Sequence, residues 1–276
     1  MLYPAELRAP PGLGISRPWW SRQLRWLALF LAVLGGVAPA HGWPEGAAAA
    51  EILLEAGGAA AIRALRPSVE LRLEGGGTAV LGDILVPETV EAEARALLAP
   101  LLAPESLDLA ESAVADRHGR LRARPLGPDG RSLQAALVAA GLALVRPLPG
   151  SDPIVLEALL LDEARAEAAG LGLWRRPADI MIGAAKAETR LGRFVLVQGV
   201  VLQASRQQRY FYLNFGTDWR TDTTARIDKE TLRAMQRAGF DPAALEGRNV
   251  RLRGTLFAEN GPMLELWTHQ GIEVLP

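Results

Sequence analysis

The side chains best suited to chemistry lie late in the chain. In Tyr210–Phe215, alternation puts Tyr210, Tyr212 and Asn214 on one side of a strand and Phe211, Leu213 and Phe215 on the other. Arg206, Arg209 and Arg226 flank the first set. Aromatic rings beside arginine suit a single-stranded nucleic acid, because bases stack on the rings while guanidinium groups hold phosphate. Packing under a helix or docking to a protein partner explains the same tyrosines, and Trp219 and Trp267 fit either reading. Two further places carry charged side chains at turns. Glu88 follows Pro87 at a helix start, where the helix dipole favours a carboxylate. Asp116-Arg117-His118-Gly119-Arg120 reads as a tight turn, in which an aspartate bonds backbone amides. His41, His118 and His269 are scattered without metal-ligand spacing, so the residues themselves indicate no metal. There is no cysteine, which excludes disulfides and thiolate sites.

These groups sit in a chain of 276 residues, long enough for one large or two small domains. The composition, 49% hydrophobic and 22% charged, is that of a globular protein and excludes disorder as the default. Residues 1–40 read as an export signal. Arg22 and Arg25 precede an apolar run from Trp26 to Val37, and Ala38-Pro39-Ala40 offers small residues for cleavage. The run is too short for a spanning helix, which needs about 20 residues. The alternative is an uncleaved N-terminal anchor, the only membrane attachment the sequence offers. Either way the expected location is periplasmic or secreted. Four of the 30 basic and one of the 31 acidic residues lie in residues 1–40, so the remainder carries 26 against 30, a net −4. Such a chain has no global attraction for polyanions, and nucleic-acid binding would need a local basic patch.

The elements that would position the candidate groups follow from periodicity. A loose leader covers 41–54. Val69, Leu71 and Leu73 alternate with Glu70 and Arg72 as a strand, and Gly75-Gly76-Gly77 turns into a second strand over 78–84. Thr89 caps a helix with Val90, Ala94, Leu97 and Leu98 on its apolar stripe. Strands over 106–114 and 121–126 follow. A short helix over 132–140 ends at Gly141, and a longer one spans 153–169. Residues 177–192 read as a linker. From Phe194 the pattern gives strands over 194–202, 210–215 and 223–227, a helix over 229–238, and strands over 249–257 and 263–274. Three strands, a helix and two strands is the order of an OB-fold, a small five-stranded barrel that binds ligands on its second and third strands.

Residues 55–176 resemble the thermonuclease (staphylococcal nuclease-like) family. Pro87-Glu88 follows a strand and opens a helix, as the family's Pro-Glu does. Asp116-Arg117-His118-Gly119-Arg120-Leu121 is similar to its Asp-x-Tyr-Gly-Arg turn. Leu133–Val145 is similar to its helix ending in Gly-Leu-Ala, and Glu163-Ala164-Arg165 with Gly172-Leu173-Trp174 resembles its last helix and terminal tryptophan. The resemblance implies an OB barrel with packed helices; with the second OB-like barrel read from the element order over 193–276, the expected architecture is mainly β, α+β. The resemblance also implies calcium-dependent cleavage of DNA and RNA. That chemistry would use two aspartates on calcium, a glutamate acting on the attacking water and two arginines on the phosphate.

Only Glu88 and Arg120 match that catalytic set. Counting back from Pro87-Glu88, the family's second aspartate falls on Leu85 and its first arginine on Val80. Its first hairpin falls near Arg66-Pro67-Ser68-Val69, with no carboxylate at the ligand position. Calcium wants six to eight oxygen ligands. Asp83 or Glu74 would have to replace the lost ones, and Asp83 shares the face of Leu85 if the strand is regular. The leading expectation is therefore an exported, catalytically impaired homologue that binds single-stranded nucleic acid or an envelope protein through Tyr210, Tyr212, Arg209 and Arg226. The alternatives are an active calcium-dependent nuclease using Glu88 and Arg120, and a structural envelope protein.

Overall fold

The computed structural model describes residues 62–66, 69–73, 78–101, 108–109, 114–115, 119–127, 129–218 and 220–276. The export signal, the leader, Glu74, the glycine turn at 75–77, Asp116, Arg117, His118 and Trp219 lie outside the described residues. The fold is mixed α/β and mostly β.

The first half begins as a meander of β1 (Ile62–Arg66), β2 (Glu70–Leu73) and β3 (Thr78–Leu81). A turn at Gly82 and Asp83 leads to β4 (Ile84–Leu85). The following helix starts later than Thr89: a 3-10 turn over Glu88–Val90 comes first, and α1 is Glu91–Leu98. Thr89 is exposed and Val90 takes the cap position without a side-chain bond. Ala94 and Leu98 carry the buried stripe. Of the strand expected over 106–114, the described residues carry β5 (Asp108–Leu109) and the start of β6 (Val114–Ala115). β7 (Leu121–Ala123) and β8 (Pro125–Leu126) follow. β7 pairs parallel with β3 and antiparallel with β6, so the sheet order is β1-β2-β3-β7-β6.

Helix α2 (Leu133–Ala139) starts where Ser132 Oγ accepts from Ala135 N at 3.1 Å. β9 (Leu144–Val145) pairs with β4. In α3 (Pro153–Ala168), Asp152 accepts from Ile154 N at 2.8 Å and Pro153 takes the first turn, where its missing N–H costs nothing. Leu71, Leu121, Leu133, Leu137 and Leu156 fill the core of this half.

The segment 177–192 carries β10 (Met181–Gly183) between 3-10 turns, with Ile180 and Ala187 buried. β11 (Phe194–Val200), β12 (Gln203–Arg206), β13 (Tyr210–Asn214) and β14 (Thr224–Asp228) follow. Asp228 ends β14 and caps α4 (Lys229–Arg237), accepting from Thr231 N at 2.7 Å. β15 (Asn249–Thr255) and β16 (Phe257–Ala258) come next. The single strand expected over 263–274 is β17 (Pro262–Glu265), a 3-10 turn and β18 (Ile272–Val274). These strands form two sheets, β10-β11-β15-β18 and β12-β13-β14-β17-β16. The chain passes from one sheet to the other at 201–202 and again at Leu256. Val197, Leu213, Ile227, Met235 and Leu252 fill the core between them and α4. No sheet among the described residues closes on itself in a continuous ladder.

A third apolar cluster joins the halves. Leu144, Ala166, Leu173 and Trp174 from the first half pack with Ile180 and Leu196. Among the described residues no helix is long and apolar enough to cross a membrane.

Candidate functional site

The register of β12, β13, β14 and β17 builds a polar and aromatic face. Tyr212 pairs with Ser205 on one side and Arg226 on the other, and Arg226 pairs with Glu265. Directly opposed residues share a face, so these four side chains form one row across the sheet. The next row is Gln203, Asn214, Thr224 and Met263, continued by Phe257 on β16. Phe211, Leu213, Ile227 and Leu264 alternate to the other side and are buried there.

Arg226 is the centre of the first row. Its Nη1 lies 2.8 Å from Glu259 Oε2 and its Nε 3.2 Å from Glu265 Oε1. Its Cζ sits 4.8 Å from the centroid of Tyr210 and 5.0 Å from that of Phe257. Each cation–ring contact contributes on the order of 0.5–1 kcal/mol when partly exposed. Burial works against the guanidinium charge, but the Glu265 hydrogen bond and the charges of Glu265 and Glu259 outweigh it and raise its pKa above the ordinary value. Burial also raises the Tyr212 phenol, against the opposing pull of Arg226. Tyr210 and Tyr212 meet edge to face with centroids 6.0 Å apart.

Beside this cluster lies a groove of about 230 Å³. Its walls carry the amides of Gln203, Gln207, Asn214 and Asn260, with Tyr212 and Thr224 between them. Asn214 Nδ2 donates to Gln203 Oε1 at 3.3 Å, and Thr224 Oγ1 to Asn214 Oδ1 at 3.2 Å. The rim at Asn260 is a tight turn, with φ 51° at Asn260 and 87° at Gly261. A Cβ on Gly261 would come 2.7 Å from the Thr221 backbone, so this position needs glycine for space as well as for φ.

Of the four residues singled out on this face, the structure brings together Tyr210, Tyr212 and Arg226. Arg209 is exposed in the turn that precedes Tyr210, and Arg206 pairs with Phe211, off the row of Tyr212. Sequence reasoning placed Asn214 on this face but missed Glu259, Glu265, Phe257 and the amides of Gln203, Gln207 and Asn260. Their one legible signal was Asn260-Gly261, a dipeptide that favours a tight hairpin turn.

In the first half, Arg120 Nη1 lies 2.7 Å from Glu70 Oε1. Glu88 is exposed on its 3-10 turn. Val80 lies between Glu70 and Arg122 in register, and Leu85 pairs with Leu144. Asp83 itself sits in the turn before β4, with φ 61°, so the regular alternation that would put it on the face of Leu85 does not hold. Its carboxylate accepts from Ser151 Oγ, and its carbonyl accepts from Arg146 N at 2.8 Å. Among the described residues, no three His, Cys, Asp or Glu side chains converge on a point. The described residues therefore build no calcium site. His269 stacks on Phe240 with centroids 5.7 Å apart.

No protein-family model matches this chain, and no curated protein is significantly similar to it.

Proposed function

We propose that this is an exported, thermonuclease-like protein that binds a ligand or partner instead of cleaving phosphodiesters, and that it binds through the outer face of β12, β13 and β14. The observation that carries the reading is the groove beside the Arg226 cluster, a concave site where several polar side chains converge next to aromatic rings. The pairing order supports an OB-like architecture for this half. The continuous chain β11–β12 pairs with β15 by its first part and with β13 by its second; β14 pairs parallel with β17, and β17 with β16. In OB-folds the equivalent face of the second and third strands is the ligand-binding one. The order β1-β2-β3-β7-β6, with β3 parallel to β7, supports a similar reading of the first half. The charged, apolar and small-residue order of residues 22–40 supports export.

The phosphate-facing chemistry argues for binding without cleavage. Arg120 is held by Glu70, and Leu85 and Val80 occupy the places where the resemblance calls for a carboxylate and an arginine. The test is nuclease activity of the purified protein on single-stranded DNA, with calcium and with chelator, beside a Glu88→Ala, Arg120→Ala double variant. Equal background in every sample is the expected result. Calcium-dependent cleavage lost in the variant would overturn the reading in favour of an active nuclease.

A further inference from the structure

We infer that the groove between β12, β13, β14 and the Asn260 turn takes a neutral, hydroxyl-rich ligand, one ring of an oligosaccharide, and not a nucleic-acid strand. The inference rests on the reading of this face as the binding surface and names its ligand class.

Charge comes first. Single strands owe their affinity to lysine and arginine that replace counterions at phosphates. Among the described residues lining the groove there is neither, and Glu259 is one of them. The adjacent cation, Arg226, is opposed by Glu259 and Glu265, so the three charges sum to −1. A phosphate entering the groove would meet the Glu259 carboxylate on its wall and no lining cation, while the adjacent Arg226 is already paired.

The polar groups that remain suit hydroxyls. Each amide carries two donors and an acceptor, part of which the Asn214–Gln203 and Thr224–Asn214 bonds already use, and the Tyr212 hydroxyl can both donate and accept. A sugar ring presents the same mixed donors and acceptors on neighbouring carbons. The Asn214–Gln203 and Thr224–Asn214 bonds tie three of these side chains together before any ligand arrives, which lowers the ordering cost of binding. Gln207 and Asn260 extend the polar lining beyond those three.

Shape and apolar surface agree. Met263 and the Tyr212 ring line the groove and offer an apolar patch for the C–H face of a pyranose. Tyr210 backs Tyr212 edge to face and is itself held over Arg226, so the aromatic wall is braced. The volume of about 230 Å³ is below the roughly 300 Å³ at which pockets begin to enclose drug-sized molecules. A single ring fits that scale, with the rest of the glycan continuing outside.

The test is titration of the full chain with cellotetraose, maltotetraose and tetra-N-acetylchitotetraose, and in parallel with the oligonucleotide dT12. At least one tetrasaccharide should bind at about 1 mM or tighter. Raising sodium chloride from 50 to 500 mM should leave that affinity within about twofold. Tyr212→Ala should weaken it at least tenfold, as should Gln207→Ala, whose exposed side chain can be removed without touching the core. No binding of any tetrasaccharide overturns the inference. If dT12 binds instead, and Tyr212→Ala abolishes that binding, the ligand class is wrong while the reading of the face survives. Calcium-dependent cleavage of dT12 by the same preparation would overturn the reading itself.

Discussion

Arg253 of β15 and Glu163 of α3 form an ion pair across the two halves of the chain, with Nη1 2.6 Å from Oε2 and both side chains only 4% exposed. The pair is also tied to the backbone between them. Glu163 Oε1 accepts from Val145 N at 2.7 Å, and Arg253 Nη1 donates to Val145 O at 3.2 Å. Removing one member of such a pair leaves a buried charge alone, which costs roughly 3–5 kcal/mol. Glu163→Leu and Arg253→Leu should each lower the unfolding free energy by about that amount in urea titrations. The double variant should lose less than the two singles together, because no charge is stranded. It should not recover fully, since Val145 N and O lose partners and each unmet group costs about 1–3 kcal/mol. Additive losses would mean that the two side chains act independently.

Gly141 and Gly172 touch backbone to backbone. A Cβ on Gly141 would lie 2.3 Å from Leu171 O, and one on Gly172 would lie 2.3 Å from Gly141 O. Both have positive φ, 70° and 50°, and Leu173 N donates to Gly141 O at 2.8 Å. The end of α2 and the turn after α3 therefore close on each other through two glycines. Either glycine changed to alanine adds a backbone penalty of about 1–3 kcal/mol to a collision that only backbone movement relieves. Thermal unfolding of Gly141→Ala and Gly172→Ala should show both well below the parent. Gly150→Ala is the control: its φ is also positive, at 79°, but a Cβ there meets nothing within 4 Å, so it should lose less.

Much of this was legible locally. Alternation assigned Phe211 and Leu213 to the core and the two tyrosines to the other face, because a strand repeats every two residues. The start of α4 was legible too, and Asp228 caps it. What the sequence concealed lies far apart along the chain. Arg251 and Arg253 look like ordinary solvent-facing charges on a strand, yet both are buried. Their partners Glu167 and Glu163 stand 84 and 90 positions away. Arg226 looked like a free phosphate ligand because Glu259 and Glu265 follow it by 33 and 39 residues. No local period carries such pairings.

Neutralising those two carboxylates should change what the face attracts. Glu259→Gln with Glu265→Gln turns the sum of the three charges from −1 to +1. The double variant should bind dT12 more tightly than the parent at 50 mM salt. Each phosphate contact it gains should steepen the slope of log K against log salt by about 0.7. Unchanged binding with unchanged salt dependence would mean that the charge at Arg226 does not govern what reaches the groove.

The Tyr212 phenol supplies the pH dependence. Burial raises its pKa above the ordinary value of about 10, with Arg226 pulling the other way. An acid with a raised folded pKa holds its proton longer when folded than when unfolded. Below about pH 10 both states are protonated and the group adds no pH dependence. As pH rises past that point the unfolded chain releases the proton first, so stability falls until the folded pKa is passed and then levels off. The chain has three tyrosines, Tyr3, Tyr210 and Tyr212, so the phenolate absorbance near 295 nm can be followed by difference. Tyr212→Phe should flatten the alkaline loss of stability and remove any phenolate absorbance that develops above the ordinary range. The groove depends on the same hydroxyl, so saturating tetrasaccharide should delay this titration further. A Tyr212 phenol that ionises in the ordinary range, with or without sugar, would mean that Tyr212 faces open solvent and forms no wall of the site.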